Sequence, residues 1–281
     1  MKNSITVSLL IPVYNEEKRI QKTIKALNEG FNFEPLKLEK VIFVNDGSKD
    51  NTVSTIKLFV KDLEKVLKAK VEIISYSKNR GKGFAIKTGM LKANSDYNLF
   101  FDADMATPLD QIKKFIPFME QGKDVIIGIR KNGHSTIINH QPLYRELLGK
   151  CFTLLSNVAL NTWVTDFTCG FKAFSKEAKN EVFTRSKIDR WSYDAEILFL
   201  SRKLGYTMQE KAVTWSDDRN TKVKILKSIY TSSKELIQIR FYQISGQYEG
   251  LEIGKQTIKG LQNIIESIYV PIGNIKLSRK A

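Results

Sequence analysis

The chain has 281 residues, of which 42% are hydrophobic and 27% charged, a balance typical of one large α/β domain or two small ones. Its formal net charge of +15 favours anionic partners without choosing among nucleic acid, acidic lipid and phosphorylated substrates. Two cysteines, Cys151 and Cys169, exclude a disulfide framework and a cysteine metal quartet. No segment has the ~20 apolar residues that a bilayer-spanning helix needs, and the N-terminus lacks a signal-peptide cleavage site. We expect a cytoplasmic protein, either free or peripheral on the cytoplasmic face of a membrane.

The first 130 residues alternate short β-branched runs with amphipathic helical patterns, which predicts repeated βα units and a mostly parallel, Rossmann-like sheet flanked by helices. The predicted strands are 7–11, 41–44, 71–75, 97–101 and 125–129, and the predicted helices between them are 16–29, 51–68, 82–94 and 109–120. Asp50 is the expected N-cap of the second helix, and Pro108 the expected first-turn residue of the fourth.

The pattern loosens after Arg130. We predict a loop over 131–142, a helix over 143–159, short strands mixed with two helices over 163–217, a long basic helix over 223–244 and a last helix over 255–268. The simplest organisation is a catalytic domain over 1–245 followed by a C-terminal helical tail over 246–281.

Polar and acidic residues follow three of the predicted strands, at PVYNE (12–16), NDGS (45–48) and DAD (102–104). Ligands of open parallel sheets bind beyond the carboxyl ends of the strands, and these three segments meet at that edge. Acidic side chains that converge there repel one another unless a cation or a donor-rich ligand lies between them.

Asp102 and Asp104 directly follow an apolar strand. If the segment is extended, both carboxylates point to one side and Ala103 to the other. Two hard oxygen donors suit Mg²⁺ or Mn²⁺, which would also bind diphosphate oxygens. The alternative is a turn that only caps the next helix, but the neighbouring acidic strand ends favour a metal site.

Two further residues at this edge have a functional and a structural interpretation. Asp46 could accept a hydrogen bond from the ring N–H of a uracil or guanine, or could serve only turn and cap geometry. Lys82 lies in RGKG (80–83), which is neither a Walker loop nor a dinucleotide fingerprint. It could lie beside a donor phosphate at a helix start, or mark an ordinary helix entry.

At these residues the sequence resembles glycosyltransferase family 2, and most of all its branch of dolichyl-phosphate glucosyltransferases and dolichyl-phosphate mannose synthases. The matching segments appear in the family's order: IPVYNEE (11–17), VNDGSKDNT (44–52), NRGKG (79–83), DADMATP (102–108), GIR (128–130), DFTCGFKAF (166–174), RWSYDAEIL (190–198) and WSDDRNTKV (215–223). The resemblance covers about residues 5–245 and implies the GT-A fold.

The resemblance also implies roles for individual residues. The pocket for the base and ribose would be lined by Pro12, Tyr14, Glu16, Val44 and Asp46 and continued by Asp102 and Ala103. Asp104 would be the main metal ligand, with Asp102 assisting. The diphosphate or the acceptor phosphate would be reached by Arg130, Arg219 and Lys222. The chain departs from the family's usual pattern at Asn45, Ile129 and Asn220-Thr221, which leaves the role of Arg219 less secure.

By the same resemblance, the expected activity is that of an inverting, metal-dependent hexosyltransferase that moves glucose from UDP-glucose to a polyprenyl (dolichyl or undecaprenyl) phosphate. The alternative acceptor is a saccharide hydroxyl. A phosphate monoester has a second pKa of about 6 and needs no base, whereas a hydroxyl needs one. Asp194 matches the position of the family's base. It could act as a base, orient the acceptor, or only stabilise the start of its helix.

The segment 219–242, most of which belongs to the predicted basic helix, mixes basic with apolar residues. It could lie on anionic headgroups and hold the active site near a lipid acceptor, or it could pack on the core with a solvated lysine face. We expect no nucleic-acid partner, because no helix-turn-helix, zinc-finger or RNA-binding aromatic motif is visible. A catalytically inactive binding protein is disfavoured, because the metal and nucleotide positions are intact.

Overall fold

A computed structural model describes residues 4–130, 137–139, 143–216 and 225–248, with side chains for 4–130, 148–216 and 231–248. Within these ranges a seven-stranded sheet has the strand order β3-β2-β1-β4-β7-β5-β8, and a two-stranded sheet pairs β6 with β9. The strands are β1 Ile5–Val13, β2 Leu36–Asn45, β3 Lys70–Ser75, β4 Tyr97–Phe100, β5 Val125–Ile129, β6 Ile137–Asn139, β7 Lys172–Ser175, β8 Met208–Ala212 and β9 Trp215–Ser216.

The helices are α1 Ile20–Asn28, α2 Thr52–Leu67, α3 Lys82–Lys92, α4 Ile116–Glu120, α5 Leu143–Leu160, α6 Lys176–Arg185, α7 Tyr193–Lys203 and α8 Ile225–Ile244, with a 3₁₀ helix at Leu109–Lys114. They cover both faces of the large sheet, so its central strands read as continuous apolar runs instead of alternating ones. One core cluster joins the sheet to α1 and α2, for example at Ile24 and Leu63. The other joins it to α3, α6 and α7, for example at Met90 and Leu198.

The predicted α/β class and all five predicted strands are confirmed, but three helix starts differ. The first helix begins at Ile20, because Glu16 to Arg19 form a turn in which the Glu16 carbonyl oxygen accepts from the Arg19 amide at 2.8 Å. The N-cap position of α2 is Asn51, not Asp50. Asp50 stands one residue earlier, where its carboxylate accepts from the Thr52 amide at 3.1 Å.

The predicted helix over 109–120 is divided into the 3₁₀ helix and α4, and Pro108 is the N-cap of the first piece instead of a first-turn residue. Pro117 explains the division, because it has no amide hydrogen to continue the helical hydrogen bonds through this segment.

The long basic helix predicted over 223–244 is present as α8. The prediction of a loop over 131–142 is wrong at Ile137–Asn139, which form β6 because they pair with β9. The rest of that segment, Arg219, Lys222, the helix predicted over 255–268 and all but the first residues of the predicted tail lie outside the described residues. Tyr248, the last described residue, is buried and packs against the Phe199 ring of α7 with centroids 6.2 Å apart. None of the helices in the described part of the chain combines the length and apolar character needed to cross a bilayer.

One strand of the large sheet runs against the others. β7 is antiparallel to both of its neighbours, β4 and β5, whereas β1, β2, β3, β4, β5 and β8 are mutually parallel. Lys172, the first residue of β7, therefore pairs with Phe100 and Ile127 near the carboxyl ends of β4 and β5. The segment that leads into β7 thus lies at the same sheet edge as the acidic strand ends.

Candidate active site

The segment from Asp102 to Asp104 follows β4 as a turn, in which the Met105 amide donates to the Asp102 carbonyl oxygen at 3.1 Å. This corrects the expectation of an extended segment. The turn is anchored by Ala103, which is buried and whose carbonyl oxygen accepts from Thr23 Oγ1 of α1 at 2.6 Å. The two carboxylates still lie close together: burial, followed by the charge of Asp102, raises the pKa of Asp104.

Basic side chains lie against both carboxylates. Lys82 Nζ is 2.5 Å from Asp102 Oδ1, and Arg19 Nη1 is 3.7 Å from Asp104 Oδ2. Burial acts to lower the pKa of Lys82, but the charges of Asp102 and Asp194 outweigh it and raise that pKa. The side chain that the sequence places at the start of α3 therefore compensates the charge of the first aspartate.

The chemistry of this pair fits a divalent cation. A Cβ atom at Gly170 would lie 2.3 Å from Asp102 Oδ2, so only glycine lets the backbone pass so close to the carboxylate. Within the described residues, no group of three or more His, Cys, Asp and Glu side chains could hold a metal ion. The pair therefore suits a cation such as Mg²⁺ that takes most of its ligands from phosphate oxygens and water.

Asp46 follows β2 and is almost completely buried. Its carboxylate accepts hydrogen bonds from the Arg80 amide at 2.7 Å, the Gly81 amide at 2.9 Å and Asn79 Nδ2 at 2.7 Å. Gly47, next to it, has a φ of 73°, and a Cβ atom there would lie 2.8 Å from the Asn79 backbone nitrogen. Asp46 thus fixes the loop that carries Lys82.

The end of β1 contributes a more open surface. Tyr14 is 42% exposed, Pro12 is partly exposed, and the Glu16 carboxylate accepts two hydrogen bonds from the Arg19 guanidinium, at 2.6 and 2.5 Å. Val44, in contrast, is completely buried next to Gly89 of α3. Its side chain therefore packs beneath this edge and offers no surface to a ligand. This differs from the prediction that Val44 lines the pocket for the base and ribose.

Arg130 follows β5 and is held in one orientation. Its guanidinium donates to Asp166 Oδ2 at 2.8 Å, to Asp166 Oδ1 at 3.0 Å and to Thr168 Oγ1 at 2.7 Å, and lies 5.2 Å from the Trp215 ring centroid. Burial acts to lower the pKa of Arg130, but the charge of Asp166 outweighs it and raises that pKa. The segment between α5 and β7 thus fixes a permanent cation at the edge.

The floor of the site contains a buried ion pair. Lys172 is 0% exposed, and its Nζ donates to Asp194 Oδ1 at 2.6 Å, the Cys169 carbonyl oxygen at 2.6 Å and the Phe167 carbonyl oxygen at 2.8 Å. An ammonium has three N–H donors, and all three are used. Asp194, at the start of α7, is therefore oriented by Lys172. Burial raises the pKa of the Cys169 thiol to about 11, which keeps it protonated and agrees with a packing role.

The structure therefore brings together Asp46, Lys82, Asp102, Asp104, Arg130 and Asp194 at one sheet edge, with Tyr14 and Glu16 beside them. Sequence reasoning assigned no role to Lys172, Asp166, Asn79 or Arg19, although the first two lie in the quoted segment DFTCGFKAF. The available signal was a lysine within the apolar run CGFKAF, since a charge in a buried strand requires a partner.

Comparison with known proteins gives a family and a set of relatives. The sequence model described as "Glycosyl transferase family 2" matches residues 8–183. A protein of Dictyostelium discoideum named dolichyl-phosphate β-glucosyltransferase is 30% identical over 253 residues, which cover 87% of this chain and 76% of that protein. The human protein of the same name is 30% identical over 256 residues, which cover 86% and 77% of the two chains.

Solved structures share the fold at lower identity. Glucosyl-3-phosphoglycerate synthase of Mycobacterium tuberculosis, in complex with Mn²⁺, UDP-glucose and phosphoglyceric acid, superposes with a TM-score of 0.61 at 18% identity, covering 90% of this chain and 83% of that one. Staphylococcus aureus TarS in complex with UDP-GlcNAc gives a TM-score of 0.55 at 17% identity, with 90% and 69% covered. These likenesses confirm the predicted GT-A fold.

Proposed function

Because the chain belongs to glycosyl transferase family 2, we propose that it moves glucose from UDP-glucose to a polyprenyl phosphate, dolichyl or undecaprenyl, with inversion at the anomeric carbon. The observation that carries this proposal is the sheet edge where Lys82 pairs with Asp102 and also feels the charges of Asp104 and of Asp194, the partner of the buried Lys172. The relatives named dolichyl-phosphate β-glucosyltransferase, which align over most of the chain, support the choice of sugar and acceptor.

On the donor side, Asp104 and Asp102 would hold Mg²⁺ or Mn²⁺, which acts as a Lewis acid toward the departing diphosphate. Lys82, placed at the start of α3 beside Asp102, provides a positive charge next to that leaving group. Tyr14, Pro12 and Glu16 border the nucleoside. Arg130 provides a second fixed cation for a phosphate oxygen, as do Arg219 and Lys222 in our proposal, although these two lie outside the described residues.

On the acceptor side, a phosphate monoester is already a nucleophilic anion near neutral pH, since its second pKa is about 6. The attack then requires a bound and oriented acceptor but no proton transfer. In this proposal Asp194, which Lys172 holds in one orientation, orients the acceptor. Asp46 keeps the 79–81 loop in place.

Transfer to a polyprenyl phosphate requires access to a lipid, so we place the enzyme at the cytoplasmic face of a membrane as a peripheral protein. The net charge of +15 supports attraction to anionic headgroups. The catalytic unit in this proposal spans 1–245, and 246–281 is an appendage to it.

The test is a panel of UDP- and GDP-sugars with Mn²⁺ or Mg²⁺, in which nucleotide release is measured with and without undecaprenyl or dolichyl phosphate. We expect release only with UDP-glucose, a metal and the lipid phosphate together. Asp104→Ala should reduce turnover about 100-fold or more, whereas Asp110→Ala, at an exposed aspartate of the next helix, should not. Full turnover by Asp104→Ala, or transfer to a saccharide hydroxyl alone, would contradict the proposal.

A further inference from the structure

The hydroxyl of Tyr193 has no hydrogen-bond partner among the described residues although it is buried. Tyr193 is the first residue of α7 and is 4% exposed. A tyrosine hydroxyl that is withdrawn from water without a partner lowers stability, and most proteins avoid this outside functional sites.

Tyr193 lies between the two halves of the active site. Lys82 Nζ, which is paired with Asp102, lies 5.9 Å from the Tyr193 ring centroid. Asp194, which is paired with Lys172, is the next residue. Burial raises the pKa of the Tyr193 hydroxyl, and so do the nearby charges of Asp194 and Asp102. The Asp194 carboxylate is close enough to interact with this hydroxyl, but the two groups are not aligned for a hydrogen bond, which leaves the hydroxyl without a partner among the described residues.

The Tyr193 ring is held in place by its surroundings. A Cβ atom at Gly83 would lie 2.6 Å from the Tyr193 Cβ atom, so the base of the side chain packs directly on α3. The ring lies 6.5 Å from the Phe100 ring, centroid to centroid, and the preceding residue is fixed by a 2.8 Å hydrogen bond from the Ser192 amide to Glu235. The hydroxyl therefore has little freedom to find another partner within the protein.

We propose that the Tyr193 hydroxyl binds substrate by donating a hydrogen bond to a phosphate oxygen, on either the donor diphosphate or the acceptor monoester. This inference rests on the proposed function. A phosphate oxygen is the acceptor that the proposed reaction brings to this sheet edge, where Lys82 Nζ, 5.9 Å from the Tyr193 ring centroid, supplies a positive charge for an anion. Because the hydroxyl makes no hydrogen bond to a described residue, it can donate to substrate without first breaking one.

The experiment compares Tyr193→Phe with Tyr97→Phe. Both remove only a buried tyrosine hydroxyl, but that of Tyr97 is satisfied, donating to the Lys123 carbonyl oxygen at 2.8 Å, and Tyr97 begins β4 at the opposite end of the strand from Asp102. Steady-state kinetics would vary UDP-glucose and polyprenyl phosphate separately. The melting temperature would be measured alone, with UDP plus Mn²⁺, and with farnesyl phosphate.

We expect Tyr193→Phe to melt at or above the wild-type temperature when no ligand is present, since an unsatisfied buried hydroxyl has been removed. Its kcat/KM should fall roughly tenfold for one substrate, the size expected for a lost hydrogen bond to an anion. The ligand whose stabilising effect is reduced identifies the phosphate. Tyr97→Phe should show the reverse: a lower melting temperature and unchanged kinetics.

Two outcomes would overturn the inference: unchanged kinetics and ligand shifts in Tyr193→Phe, or a lower melting temperature without ligand and no kinetic effect, as a structural hydroxyl would give. If the wild type fails to turn over UDP-glucose, the proposed function fails, but the melting shifts with UDP and farnesyl phosphate still decide whether Tyr193 binds phosphate.

Discussion

Lys172 and Asp194 depend on each other at the floor of the site. Both are buried, and the ammonium has no other acidic partner within hydrogen-bonding distance in the described residues. Removing one member of a buried ion pair leaves an uncompensated charge, whereas replacing both members is far less harmful.

We therefore expect Lys172→Met to reduce the free energy of unfolding by about 3 kcal/mol or more. Lys172→Met combined with Asp194→Asn should recover most of that loss. Urea unfolding of the two variants and of Asp194→Asn completes the double-mutant cycle. If Lys172→Met and the double variant lose the same free energy of unfolding, the contribution of Lys172 to stability does not come from its ion pair with Asp194.

Gly170 offers a more local test of the metal site. Any side chain there must displace the Asp102 carboxylate, whose oxygens would lie 2.3 and 2.7 Å from the new Cβ atom. We expect Gly170→Ala to raise the Mn²⁺ concentration needed for half-maximal turnover and to reduce kcat by about tenfold or more, since small misplacements of a catalytic group are costly. A Mn²⁺ titration of turnover measures both. An unchanged titration curve in a folded variant would argue against metal binding by Asp102.

At the scale of elements, Glu196 of α7 joins three parts of the chain. Its carboxylate accepts from the Lys187 amide at 2.8 Å, the Ile188 amide at 2.9 Å and the Tyr248 hydroxyl at 2.6 Å. The 186–190 loop in turn packs on α3, where the Phe84 amide donates to the Asp189 carbonyl oxygen at 3.0 Å. Glu196 thus connects the end of α8 to the helix that carries Lys82.

Burial raises the pKa of Glu196 from 4.5 to about 7, against the opposing effects of the Tyr248 hydroxyl, the two amides and the Lys87 charge. The folded state therefore binds this proton more tightly than the unfolded state. The associated stability is fully present below pH ~4.5 and is lost as the pH rises through ~7, by up to roughly 3 kcal/mol.

Glu196→Gln should remove this part of the pH dependence, so that the difference in unfolding free energy between pH 5 and pH 8 is smaller than in the wild type. Urea unfolding at the two pH values measures it. The amide of glutamine also faces two backbone donors and lowers stability at every pH, which is a constant offset and leaves the comparison valid. An identical pH dependence in both proteins would contradict the prediction.

The elements that sequence could predict are those whose signal is local. The strands of the first 130 residues are apolar runs bounded by polar turns, and they appear where expected. The antiparallel insertion of β7 could not be predicted, because a four-residue strand with a buried lysine carries no sign of its neighbours, which are distant in the sequence. For the same reason the acidic residues of the site were found, but Lys172 and Asp166, whose partners are set by tertiary packing, were not.

At the scale of the whole molecule, one group of exposed apolar residues lies close together in sequence on α5. Leu154, Leu155 and Val158 are 62%, 56% and 67% exposed, and Trp163 lies just beyond the helix on the segment that leads to Asp166 of the active site. The neighbouring α8, which packs against α5, exposes further apolar side chains, Ile237 and Phe241. Aliphatic and aromatic residues of this kind, on a protein with a charge of +15, suit an anionic bilayer surface.

We therefore expect the 281-residue chain to sediment with vesicles that contain phosphatidylglycerol, less with pure phosphatidylcholine, and less again at high salt, because the attraction is partly electrostatic. Replacing Leu154, Leu155 and Val158 by glutamate should reduce vesicle binding roughly tenfold or more, since apolar area and charge both change unfavourably. Leu58→Glu, at an exposed leucine of α2, is the matched control and should bind as the wild type does. The prediction is contradicted if the triple variant keeps its vesicle binding, or if the substitutions change only the oligomeric state measured by size-exclusion chromatography. A surface that binds lipid through apolar side chains must bind vesicles more weakly when those side chains are replaced by carboxylates.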